Sequence, residues 1–204
     1  MSNTPPEHSE PGESTYPPAF RAALEQLRAA PFRDELSVRE IPAPGSIAPW
    51  SVALSADIGA PEHGRDSELG TGRFILMHDP EEPEAWGGSF RVVSFMQASH
   101  DTEIAADQFV AAVAWSWLEE ALEQREAQYH SPSGTVTKIL SSGFGSLEAQ
   151  GDGAQLEMRA SWTPDDANFG AHIAAWCDIL CALAGHSVRP GAVGLDAARG
   201  KLGR

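Results

Sequence analysis

Only two cysteines, Cys177 and Cys181, occur in the 204 residues. They lie four apart in a stretch that reads as helix, where successive turns do not offer ordinary disulfide geometry, so reduced thiols are expected. Basic residues are scarce: 14 Lys plus Arg stand against 29 Asp plus Glu, a formal net charge of -15, and Lys occurs only at positions 138 and 201. Nucleic acid is gripped through cations that displace counterions, so it is not an expected partner of the folded body. Anionic membrane surfaces are disfavoured by the same Coulomb argument. No run of about 18 apolar residues is present to span a bilayer. The N-terminus also lacks the basic, apolar, small-residue order of a secretory signal. The expected address is the cytoplasm.

What remains is the composition of a globular protein, 42% hydrophobic and 21% charged, and its length suits one domain with a substantial core. Residues 1–17 are rich in Pro, Gly and Glu with almost nothing apolar, so a disordered acidic tail is expected there. A single domain over 18–185 follows, then a flexible basic tail over 186–204 carrying Arg189, Arg199, Lys201 and Arg204 against Asp196 alone. By formal charge the first tail carries -3, the last +3 and the body between them -15. That surface suits a basic protein partner.

The periodicity predicts a first helix from Pro18, with Phe20, Leu24 and Leu27 on one stripe and Pro31 ending it. An extended connector to Pro49 holds at most a short strand at Ser37 to Ile41. Three strands follow: Trp50 to Asp57, Arg73 to His78, and Phe90 to Met96. The longest helix is expected after an N-cap at Asp107, with Val110, Val113, Ala114, Trp117, Ala121 and Leu122 inward and Glu119, Glu120, Glu123 and Glu126 outward. Ser131 to Gly134 should end it. Strands over Thr135 to Ser141 and Gln155 to Trp162 come next, joined through Gly151, Asp152 and Gly153. A last helix spans Asn168 to Ala184, capped by Asp165 or Asp166 and closed by Gly185. The fold class expected is α+β: a mainly antiparallel five-stranded sheet with helices on one face, in the order α-βββ-α-ββ-α. That element order is similar to the one in type III secretion chaperone-like folds, a likeness that carries no function.

Several segments in one order, FRAALEQLRAA from Phe20, IPAPGSIAPWSVALSA from Ile41, GRFILMHDPEEPEAWGGSFRVV from Gly72, WSWLEEAL from Trp115 and RASWTP from Arg159, resemble the actinobacterial domain of unknown function 3000 family. The resemblance covers roughly residues 18 to 190. It implies a cytoplasmic protein and supplies no catalytic residues.

Phosphate loops, nucleophile elbows, zinc-protease helices and dinucleotide fingerprints are missing, and no cofactor, metal or catalytic residue is assigned. The acidic loop with His78, Asp79, Glu81, Glu82 and Glu84 fits no defined metal spacing. A zinc site at Cys177 and Cys181 would need a second ligand pair. Trp86, followed by Gly87 and Gly88, combines an aromatic with close backbone access and is a candidate contact for a ligand or partner. Trp115 and Trp117, about 200° apart on a helix, cannot share one core face, which leaves Trp115, with Glu119 one turn on, as the partner-facing candidate. Two functions are therefore carried forward. The first is a non-enzymatic protein-binding or adaptor module, with a second copy of the chain among its possible partners. The alternative is a small-molecule binder or enzyme with its site at His78, Trp86 and Arg91.

Overall fold

The computed structural model describes residues 16–45, 47–59, 67 and 69–186. Most of both expected tails lies outside that range. Tyr16 is inside it and packs edge-on against Phe20, their ring centres 5.4 Å apart.

Helix α1 (Pro18–Ala29) is followed by strands β1 (Leu36–Ile41), β2 (Trp50–Ile58), β3 (Gly70–His78) and β4 (Phe90–His100). Helices α2 (Thr102–Ala106) and α3 (Val110–Gln124), strands β5 (Tyr129–Ser142) and β6 (Asp152–Pro164), and helix α4 (Phe169–Leu183) complete the chain. A 3-10 turn at Gly145–Gln150 joins β5 to β6. The sheet has six strands in the order β1-β2-β3-β4-β6-β5, every neighbouring pair antiparallel. The fold class expected from the sequence therefore holds, with one strand more. That strand is the short segment before Pro42, which pairs with β2 along its whole length, from Leu36 opposite Ile58 to Ile41 opposite Ala53.

Alternation across the register separates two faces. Val52, Leu54, Phe74, Leu76, Val92, Met96, Met158, Ala160 and Trp162 turn to one side and form a continuous core with α1, α3 and α4. Each fully buried side chain of that size contributes about 1.5–3 kcal/mol relative to exposure. Helix α4 is buried nearly all round because it lies against β3, β4 and β6 and is flanked by α1 and α3. Its approach depends on Gly72: a Cβ there would fall 2.7 Å from Cζ2 of Trp176. The opposite face carries Ser55, Asp57, Thr71, Arg73, Met77, Arg91, Phe95, Gln97, Ser161 and Thr163, a mostly polar set outside that core cluster.

Four local expectations are corrected. Asp107 does not begin the long helix: its carboxylate accepts from the Phe109 N–H at 2.7 Å in the junction between α2 and α3, and Phe109 is the N-cap. The last helix starts at Phe169 with Asn168, not Asp165 or Asp166, as its N-cap, and Asp166 accepts from the Asn168 N–H at 3.0 Å just before it. Ser131 to Gly134 do not end α3, which stops at Gln124 ahead of Glu126 at φ 57. Instead they belong to β5, where the register slips between His130 and Ser133 to make a bulge that accommodates Pro132. Finally, the inward stripe of α3 is Val110, Ala114, Leu118, Ala121 and Leu122. Trp117 stands half-buried on its shoulder, and Val113 is 39% exposed. The difference is a rotation of one residue: Leu118 fills the seat assigned to Trp117.

Candidate functional site

The residues singled out by sequence fall in three places. His78, at the end of β3, turns toward the helices. It stacks on Phe90 with ring centres 4.3 Å apart, lies against Phe20 and Trp50, and its Nδ1 meets the Ser89 carbonyl at 2.9 Å. Arg91 is one strand over and one residue out of phase, opposite Met77, so it emerges on the other face. The pairing of His78 with Arg91 in one pocket is thereby overturned: period-two alternation puts a sheet between them.

Trp86 does join Arg91. The β3–β4 loop is closed by Asp79 N–H donating to Ser89 O, and the Trp86 and Gly87 N–H groups both donate to Pro83 O. This folds the loop so that the Trp86 carbonyl accepts from Thr163 Oγ1 at 2.6 Å. Thr163 Oγ1 in turn accepts from Arg91 Nη1 at 2.9 Å, and the same Nη1 donates to the Ser131 carbonyl at 3.1 Å. Arg91 Nη2 donates to Ser161 Oγ at 2.7 Å and Ser133 Oγ at 3.3 Å. One guanidinium thus ties β4, β6 and the β5 bulge together. Gly87, at φ 69, brings the loop onto that bulge: a Cβ on it would stand 2.9 Å from Cε1 of His130. Gly88 lies against Thr163. Burial lowers the Arg91 pKa from its ordinary value.

His130, Ser131, Ser133, Ser161 and Thr163 were not singled out by sequence, although one signal for them existed. Ser161 and Thr163 alternate with Trp162, so they had to share a face away from the core. Which strand they met there depended on register.

The third place is the outer edge of the sheet. Trp115 is half-buried, not exposed: its indole N–H donates to Glu119 Oε1 at 3.1 Å, and Gly134 of β5 lies against its ring. Trp115 and Glu119 therefore flank β5, the last strand of the sheet. Most of its residues are exposed, and it carries no carboxylate. Lys138 Nζ donates to the Asp107 carbonyl at 3.0 Å, tying the α2–α3 junction to the same strand. Seven large apolar side chains are exposed among the described residues, and five of them, Phe109, Val113, Leu140, Phe144 and Leu147, lie on α3, on β5 or in the connection after β5.

Among the described residues no three His, Cys, Asp or Glu side chains gather as a metal site. No described helix is long and apolar enough to cross a membrane. A family model described as protein of unknown function (DUF3000) matches residues 16–193, most of the chain. The chain belongs to the DUF3000 family. The match takes in every helix and strand, including the β5 edge and the Arg91 corner. Comparison with curated proteins and with solved structures finds no match.

Proposed function

We propose that this DUF3000 protein is a non-enzymatic protein-binding module that receives an extended, basic segment of a partner along the free edge of β5. The observation that carries this reading is the edge itself. β5 runs for 14 residues and, among the described residues, has β6 on one side only. An exposed edge offers a row of backbone donors and acceptors to an incoming strand; the bulge at Pro132 blunts the start of β5, which leaves the run from Thr135 onward for docking. Lys138 is the one full charge along it, and its ammonium is spent on Asp107. The exposed apolar side chains beside the edge supply the contact area that strand addition by itself lacks.

Charge selects the occupant. Glu119, Glu120 and Glu123 line the exposed side of α3, which packs on β5, within a body of formal charge -15. A basic segment is steered to that surface, whereas a second copy of the chain is repelled. The two free, buried thiols support a reducing compartment and hence the cytoplasm.

The test is capture of partners from lysate by the wild type and by a Thr137→Lys, Leu140→Lys variant, with light scattering on both. Capture that falls with added salt and is lost in the variant supports edge docking of a basic segment. An unchanged set of captured proteins, or a stable dimer whose amide exchange shows β5 protected by self-pairing, would overturn it.

A further inference from the structure

Among the described residues, Arg91 is a buried cation whose charge no carboxylate meets. It is 8% exposed, and all four of its hydrogen bonds go to neutral oxygens: the Ser131 carbonyl and the hydroxyls of Thr163, Ser133 and Ser161. Among the described residues no carboxylate pairs with it, whereas Arg33, Arg39 and Arg125 each meet one. Removing a guanidinium from water without a counter-charge is expensive even when its N–H groups are satisfied, because dipoles replace only part of the lost hydration. The chain has 29 carboxylates, and none of those among the described residues is used here.

The hydroxyls around Arg91 are arranged to pass its charge outward. Each one that accepts from the guanidinium still has its own proton to give. Thr163 gives its proton to the Trp86 carbonyl. Ser133 and Ser161 lie 3.0 Å apart, so one proton serves the contact between them and the other is left over. A hydroxyl that accepts from a cation is a stronger donor in turn. Ser133 is exposed, and beside it His130 is half exposed, with Nδ1 2.9 Å from Ser131 Oγ. Ser131 itself holds a left-handed backbone at φ 50, unusual for a residue with a side chain, and this turns its carbonyl onto Arg91. The carboxylate facing this corner is Asp165, whose Oδ1 is 3.5 Å from His130 Nε2; it is exposed and engages the imidazole, leaving the guanidinium alone.

We infer that this corner, built from the β5 bulge, the end of β6 and the Trp86 to Gly88 loop, binds a small oxyanion, a carboxylate or a phosphate group, through the proton of the exposed Ser133 hydroxyl, Ser161 giving its own proton to Ser133 Oγ, in the field of Arg91. The buried cation supplies attraction over a few ångströms and the hydroxyl supplies direction, so the ligand need not displace the bonds that hold the three strands together. The inference is independent of docking along the free edge, since Arg91 reaches Ser133 from the β6 side.

The test uses the full chain with inorganic phosphate and with succinate as probes, each against sodium chloride at equal ionic strength. Binding is followed by thermal unfolding and by amide chemical shifts. A probe held at about ten times its Kd should raise Tm by roughly 3 °C and shift the amides of Ser131, Ser133 and Ser161. Response to phosphate, to succinate or to both names the source of the anion and supports the site. The Arg91→Lys variant loses bonds that the fold uses, so the deciding variant is Ser133→Ala, whose exposed side chain can be removed without unfolding the protein. Loss of one acceptor to Arg91 lowers its Tm in chloride, which serves as its own baseline, and the rise with the probe above that baseline should be lost. No shift with either probe in the wild type, or an equal rise in Ser133→Ala, would overturn the inference.

Discussion

The indole N–H of Trp162 donates to Nδ1 of His172 across 3.1 Å, with both side chains wholly inside the core. Acceptance at Nδ1 places the ring proton of the neutral imidazole on Nε2, which faces Asp166 Oδ1 at 3.8 Å. A proton on Nδ1 would set two N–H groups against each other. Burial accordingly brings the His172 pKa down to about 4, only partly opposed by Asp166 and Asp165.

The first prediction concerns acid stability. Between about pH 6.5 and pH 4 the unfolded chain takes up a proton at His172 that the folded chain refuses, so stability falls as pH falls through this window and is fully present above it. The loss by pH 4 should be roughly 3 kcal/mol. In His172→Asn, whose side-chain oxygen can still accept from Trp162, urea midpoints should vary less over the same window. Identical pH profiles for the two proteins would refute the assignment.

Asp178 gives a second. It is buried on α4, accepts from Arg125 Nε at 2.7 Å and lies 3.5 Å from Arg33 Nη1, so it joins the end of α3 to the connector between α1 and β1. The hydrogen bond to Asp178 raises the Arg125 pKa. Asp178→Asn should cost about 2 kcal/mol, below the range for fully buried pairs because both arginines reach water. A guanidinium titration showing a cost under about 0.5 kcal/mol would mean that solvent screens the contact.

The thiols provide a third. Burial pushes the Cys181 thiol up to about 12 and Cys177 higher still. The thiolate is the reactive form, so neither should react with a disulfide reagent at pH 8 in the native protein. Both should titrate after unfolding. Fast modification of the folded chain would show that α4 opens locally.

Gly134 supplies a less obvious one, because the residue is exposed and a surface glycine is ordinarily tolerant. A Cβ there would run into the Arg159 carbonyl of β6 and approach Trp115 Cζ3 to 2.8 Å. Gly134→Ala should therefore destabilise by about 1–3 kcal/mol and shift Trp115 fluorescence. A stability equal to wild type would mean that the bulge relaxes freely around it.

The elements most legible in the sequence were those with unbroken periodicity. Gln155 to Trp162 alternates cleanly because one side meets α4 and the other does not, and it lies within β6. Helix α4 was legible but for its N-cap, which is Asn168, and Gly185 beyond its end does take a positive φ of 79. The β5 bulge was not, because Ser131, Pro132, Ser133 and Gly134 have the composition of a loop. Only the pairing with β6 and the Arg91 anchor make them strand. At the candidate site, Trp86 and Arg91 were visible as unusual residues in one hairpin, but the serines and the threonine that surround Arg91 come from positions 40 to 72 residues away. Trp115 was read correctly as excluded from the main stripe of α3 but not as covered, since the cover is a glycine of another element.

The sequence by itself determined the α+β class, the acidic body, the two reduced thiols and the apolar stripe of α1, because charge, composition and hydrophobic period are properties of a single stretch of chain. Tertiary structure alone decided that, among the described residues, β5 is an outer strand with one side unpaired and Arg91 sits among hydroxyls without a carboxylate, and that His78 and Arg91 lie on opposite faces. Those facts follow from strand order and register, and a slip of one residue would exchange the faces of every side chain on a strand.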